Sequence, residues 1–388
     1  MHRRSTQRAT EDIVVIGAGY AGMTAALRLA PRHRVTLIDE KDSFVERIRL
    51  HEFASGRPSV TMPLAELTEG TGITTVTARV TGLDPHARTV RTQDGRSFRY
   101  TTLVYALGST TDVSAPGVAE YAYTVERATE LRKRLADGPG TVAVVGGGLT
   151  GVELAAELAE SYPDWQVRLV TDGEPAAGLS AKGRAHVGKV FRRLGVEVSK
   201  GVRATGVGPD GLLTGNGPIT ADAVVWAASF TVPDLAARAG LAVDHRGRVV
   251  VDAVLRSTSH PEVFAVGDAA AVSVPGVGEL RMSCATAMPI AAHAASAIDA
   301  LARGEEPGPF SFRYLVQCVS LGRRDAVIQP VHADDSPHRT ALTGRPAAWV
   351  KERVCRFTVG SLRSLRRHPD AYWWPKADRA AARAAVAA

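Results

Sequence analysis

Cysteine is scarce in this chain of 388 residues: Cys284, Cys318 and Cys355 stand far apart, with no CxxC pair and no metal-type spacing. That excludes a disulfide-stapled scaffold and a cysteine-built metal site, and it makes a reducing cytoplasm the expected compartment. No unbroken run of 18 apolar residues occurs, so no membrane-spanning helix is expected. The first apolar segment begins at residue 12 and stops at glycine, so no secretory leader is expected either. Acidic charge is sparse at the ends. Residues 1–10 carry Arg3, Arg4 and Arg8 and no acid, and residues 351–388 carry nine Lys or Arg against Glu352, Asp370 and Asp378. The net charge of +7 therefore belongs to the termini, and no nucleic-acid-binding face is expected on the core.

What is present is ordered around residues 12–40. The apolar run 12–16 suits a strand buried on both faces of a parallel sheet. It leads into Gly17-Ala18-Gly19-Tyr20-Ala21-Gly22, where glycines allow a tight turn and a close approach of backbone to a pyrophosphate. A helix follows, its N-terminus aimed at the same phosphates. A second apolar strand then ends in Asp39-Glu40, 22 residues after Gly17, where a carboxylate accepts hydrogen bonds from a ribose. Strand, glycine triplet, helix, strand and acid within one short unit predict a dinucleotide site.

The same grammar returns 129 residues later. Residues 141–145 lead into Gly146-Gly147-Gly148-Leu149-Thr150-Gly151, then a helix carrying Glu153, then a strand ending at Thr171-Asp172. Two dinucleotide sites imply two dinucleotides, which a redox enzyme holding a flavin and a nicotinamide explains. Ala106-Leu107-Gly108 ends a further buried strand, and Pro116-Gly117 marks a domain boundary. Near residue 265 a strand stops at Gly267-Asp268, placing a carboxylate at the sheet edge where such folds bind ligands. A small-residue helix is expected from residue 285, with Pro289 in its first turn. Residues 74–84 alternate like one strand, with the backbone around Val80 available to an adenine ring, and residues 88–100 read as a hairpin. Phe44, Ile48 and Phe53 suit a helix or helical turn.

The expected fold is α/β: two Rossmann-like dinucleotide-binding domains plus a smaller C-terminal α+β segment. Residues 1–10 form a disordered lead-in. Residues 11–112 and 247–310 make the first domain, 113–246 the second. Residues 311–388 hold strands and then a basic amphipathic helix over about 347–365. Arginines and tryptophans in that last part suit an interfacial contact with a membrane, or a dimer interface.

From residue 11 to about 300 the chain resembles the flavoprotein pyridine nucleotide oxidoreductases with two dinucleotide-binding domains. Within them it is most similar to the type II NADH dehydrogenase and apoptosis-inducing-factor-like branch. The resemblance implies FAD on Gly17, Gly19, Gly22 and Asp39, with Asp268 on its ribityl chain and the Ala287 backbone near the flavin carbonyl. It implies NAD(P)H on Gly146, Gly148 and Gly151, and a role for Glu153 beside the contact between the two cofactors, with Arg49 as its expected basic partner. Disulfide reductases of this superfamily carry a cysteine pair soon after the first acid; residues 41–58 here hold none. A dithiol relay is therefore not expected, and electrons are expected to pass directly to a quinone or similar small molecule. Quinone-reducing members carry paired glutamines where this chain has Met288 and Ala292. Asp172, with no arginine directly after it, favours NADH over NADPH. A slow, redox-responsive binding protein and an oxidoreductase of specialised metabolism are the alternatives.

Overall fold

The structure, a computed structural model, describes residues 10–377; the lead-in up to residue 9 and the tail from residue 378 lie outside the described residues. The chain runs β1 (Asp12–Ile16), α1 (Tyr20–Leu29), β2 (Arg34–Asp39), α2 (Leu50–Ala54), β3 (Thr74–Thr77), β4 (Thr102–Tyr105), β5 (Thr141–Val145), α3 (Leu149–Ser161), β6 (Gln166–Thr171), β7 (Glu197–Lys200), β8 (Ala223–Trp226), β9 (Val263–Ala265), α4 (Cys284–Ala302), β10 (Val316–Ser320), β11 (Ala326–Pro330), β12 (Leu342–Thr343) and α5 (Arg345–Arg367), with further elements between, the helix Ala181–Leu194 the longest of them.

Two parallel sheets carry the molecule. The first has the order β9–β4–β1–β2–β3 and the second β7–β6–β5–β8. In each, the motif strand sits inside the sheet. β1 and β5 are therefore paired along both edges, and Val15, Ile16, Val142 and Val144 have no accessible surface. Each such side chain contributes about 1.5–3 kcal/mol of burial, which is why uninterrupted valine and isoleucine were needed there. β9 returns to the first sheet after the whole of the second has been built. Where the chain passes between sheets, Thr110–Thr111 pairs antiparallel with Phe230–Thr231.

Several expectations need correcting. Residues 74–84 are two strands: β3 joins the parallel sheet, and Val80–Asp84 starts a separate antiparallel sheet with the expected hairpin, Thr89–Thr92 and Ser97–Arg99. Alternation alone does not reveal the break at residues 78–79. Phe44 lies on a short strand, Ser43–Val45, paired with Thr61–Pro63, and helix begins only after it. α4 starts at Cys284, so Pro289 is in its second turn rather than its first.

α4 is long and apolar enough by length and composition to cross a bilayer, with mean hydropathy 1.2. It is nonetheless 67% buried in the protein, packing along α1, because alanine and glycine faces let two helices approach closely. α5 starts after Gly344 with Pro346 in its first turn and ends on Arg366 and Arg367, which suit a helix C-terminus. Its buried stripe, including Cys355, Thr358, Val359, Leu362 and Leu365, lies against the body, with α1 and β11 among its neighbours.

Candidate active site

The first cradle follows from glycine geometry. Gly17 has φ +98°, and a Cβ on it would overlap the Ala106 carbonyl; a Cβ on Gly22 would overlap the Gly17 carbonyl. Only glycine lets β1 turn into α1 this tightly. Gly19 caps α1 with open space where a Cβ would stand and no side chain bonding the first-turn amides. An uncapped helix N-terminus with free approach suits a phosphate. Asp39 Oδ2 accepts the Ala18 amide at 2.6 Å and Oδ1 the Lys41 amide at 2.9 Å, fixing the carboxylate beside the loop. Glu40 next to it is exposed. These residues fit a dinucleotide.

The second cradle repeats the turn: a Cβ on Gly151 would overlap the Gly146 carbonyl, and Gly148 is an open, uncapped N-terminus. It differs at the acid. Thr171 is buried and Gly147 packs directly on its side chain, while Asp172 is exposed. The nearby Lys200 is paired with Glu174 at 2.8 Å.

Asp268 lies in a one-turn helix at the end of β9, and a Cβ on Gly267 would stand 3.0 Å from Ala21. Asp268 Oδ2 accepts the Ser109 hydroxyl at 2.7 Å, and Arg47 holds the Ser109 carbonyl at 2.5 Å. Asp268 is thus brought to the first cradle beside Gly108, the end of the β4 loop. The Ala287 amide donates to the Ser283 carbonyl at 3.0 Å. Val80 stands at the head of the antiparallel sheet, paired with Thr92. Met288 and Ala292 are buried and offer no polar group.

Glu153 is the centre of a polar cluster that Arg49 does not join. Lys351 of α5 reaches Glu153 Oε1 at 2.9 Å and the Cys318 carbonyl at 3.0 Å. The Ser320 amide donates to the same Oε1 at 2.9 Å, and its hydroxyl, 3.2 Å away, also contacts His51 Nε2 at 3.0 Å. Burial, the largest influence, would raise the Glu153 carboxyl, but the Lys351 ammonium together with His51 and the Ser320 amide holds the group below the ordinary range. Lys351 is held above its ordinary value: burial is the largest influence and opposes its charge, and Glu153 with the neighbouring Cys355 and Cys318 together more than compensates. His51 is pushed down, chiefly by burial. Arg49 instead bonds Glu52 at 2.9 Å and Glu352 at 2.9 Å. The expected partner, Arg49, is thus engaged elsewhere; the lysine on a helix 198 residues after Glu153 carried no local signal.

The structure also gathers the thiols. Cys284, Cys318 and Cys355, all free, lie within electrostatic range of Lys351. Burial raises each, Cys355 to about 11.

Two glycine-turn cradles behind parallel strands, with an acid on the helix of the second paired to a lysine of the C-terminal helix, define an oxidoreductase built to hold two dinucleotides. The chain belongs to the pyridine nucleotide-disulphide oxidoreductase family, whose pattern matches residues 11–297. It is a flavoprotein oxidoreductase that binds FAD and NAD(P)H, in the NADH dehydrogenase-like branch. It is 32% identical over 313 residues to an NADH dehydrogenase-like protein of Mycobacterium tuberculosis, covering 73% of this chain and 78% of the relative. It is 27% identical to a type II NADH:quinone oxidoreductase of Staphylococcus saprophyticus, covering 89% and 94%. Its fold is similar to that of NDH2 from Plasmodium falciparum, with TM-score 0.77 at 16% identity over 93% and 98% of the two chains.

Proposed function

We propose that this chain takes a hydride from NADH and passes electrons directly to a quinone-like small molecule, with no thiol relay. FAD, when bound, supplies the two-electron chemistry. Gly17, Ala18, Gly19, Ala21, Gly22, Asp39, Ala106, Gly108, Gly267 and Asp268 hold it; Gly146, Gly148, Gly151 and Asp172 hold the nicotinamide nucleotide. The observation that carries the reading is the Lys351–Glu153 pair. A largely desolvated ammonium held charged by a carboxylate gives a fixed ion-pair dipole whose positive end can face an acceptor that gains electrons, and the relative from S. saprophyticus is a quinone oxidoreductase by name.

The raised thiols support direct transfer, because a protonated thiol is a poor nucleophile. NADH is preferred because a 2′-phosphate at the end of β6 would meet Asp172 and Glu174, and Lys200 is already engaged. The return of β9 to the first sheet supports the discontinuous first domain, 11–112 with 247–310.

The outward face of α5 supports a peripheral membrane site. Trp349 and Phe357 are 65% and 63% exposed, with Val354 beside them and Arg353 and Arg356 at the rim. Aromatic rings and arginines on one helix face suit the boundary of an anionic bilayer. Anaerobic mixing with NADH or NADPH, followed by a soluble quinone, tests the reading. NADH should bleach the flavin faster and the quinone should restore its colour within turnover time. A reduced flavin that persists with every quinone tried would point to a slow binding protein instead.

A further inference from the structure

Reduction of a quinone by NADH takes up one proton from water: NADH, quinone and H⁺ give NAD⁺ and the quinol, with two new O–H bonds on the acceptor. Resting on the functional reading above, this raises the question of how a proton reaches Glu153, whose side chain is only 13% exposed. α3 offers more than that one acid. Glu153, Glu157 and Glu160 follow at i, i+4 and i+7, the spacing that stacks side chains on one helix face. The middle one is the anomaly. Glu157 is 1% exposed, and its Oε2 has no hydrogen-bond partner although Arg323 Nε stands 3.2 Å away. A buried carboxyl left this way needs a reason.

The two ends differ from it. At the inner end, Glu153 is tied through the Ser320 hydroxyl to His51. At the outer end, Glu160 packs on Gly322 and accepts the Arg323 amide at the turn after β10, where Arg323 and Arg324 are exposed. We propose that Glu153, Glu157 and Glu160 form a proton path along α3 between the Lys351–Glu153 pair and solvent at this turn, with Glu157 as the relay.

The electrostatics agree with the geometry. Burial first, then crowding by Glu52, Glu160 and Glu153, raises Glu157 to about 7, with Arg323 opposing. The charged groups facing it are therefore Glu153 and Glu160 on its own helix, Glu52 from α2 and Arg323 from the turn. A group that gains and loses its proton near neutral pH is suited to relay one.

The test replaces Glu157 with Gln, or with Met where Gln is not tolerated, in the FAD-loaded full-length protein. Without any turnover, the carboxyl is read from unfolding. A group raised from 4.5 to about 7 on folding stabilises at low pH; that contribution is complete below the unfolded value and lost as pH rises through the folded one. Wild type should lose this increment between about pH 5 and about pH 8, and the variant should not. In turnover, flavin bleaching by NADH should stay within about twofold, while quinone reduction falls about tenfold and loses its inflection near neutral pH. Glu157→Asp, which keeps a carboxyl, should restore part of that rate. A variant matching wild type in quinone turnover and its pH profile overturns the path alone. A wild type that reduces no quinone overturns the functional reading and the path with it, and an unchanged stability profile overturns the raised carboxyl itself.

Discussion

Lys351 Nζ and Glu153 Oε1 stand 2.9 Å apart across 198 positions of sequence, joining the C-terminal helix to the helix of the second dinucleotide unit. Side-chain exposures of 15% and 13% leave little solvent screening. The pair thus ties α5 to the helix of the second cradle.

Lys351→Met leaves Glu153 buried without its cation, a loss on the order of 3–5 kcal/mol. Glu153 then rises from its lowered value, so the stability the pair supplies above about pH 4.5, normally lost as acid protonates the carboxylate, disappears. Denaturant unfolding of Lys351→Met, Glu153→Gln and the double variant checks this: the double variant should recover part of the loss, and strictly additive losses would show that the pair is not coupled.

Asp39→Ala and Asp268→Ala should each purify with less bound FAD. Asp39 also holds the Ala18 amide, so its loss loosens the loop itself. Absorbance of the purified variants and retention through dialysis measure occupancy. Full retention in both variants would move the FAD site elsewhere.

Trp349→Ala with Phe357→Ala should abolish sedimentation with anionic vesicles while leaving NADH-driven flavin bleaching in solution within about twofold. Wild-type binding should weaken as salt rises, since Arg353 and Arg356 contribute through a screened field. Binding that survives the double substitution would place any membrane contact outside this face.

Replacing Cys284, Cys318 and Cys355 together with Ala or Ser should leave NADH-to-quinone turnover largely intact, less whatever folding is lost at Cys355, which is 2% exposed. A folded, FAD-loaded variant that bleaches with NADH but no longer reduces quinone would establish a thiol step. The convergence of all three thiols on Lys351 makes this the sharpest test of direct transfer.

The sequence by itself determined the two cradles. Each is a local object: within about thirty residues a buried strand, a glycine turn, a helix and a second strand must follow one another, and the steric demand at Gly17 and Gly22 admits no other residue type. Helix α5 was legible for a similar reason, since its buried and exposed residues alternate with helical period. What joins those units was not written locally. Arg49 is close in sequence to the first cradle and is drawn instead into the carboxylates Glu52 and Glu352, because charges pair with whatever the packed elements bring nearest. Only the tertiary structure brought Lys351 to Glu153, set three distant cysteines around that lysine, and buried Glu157 among acids. Periodicity fixes which face of a helix turns inward; which residue of another element it meets depends on how sheets and helices stack, a long-range outcome that no window of sequence contains.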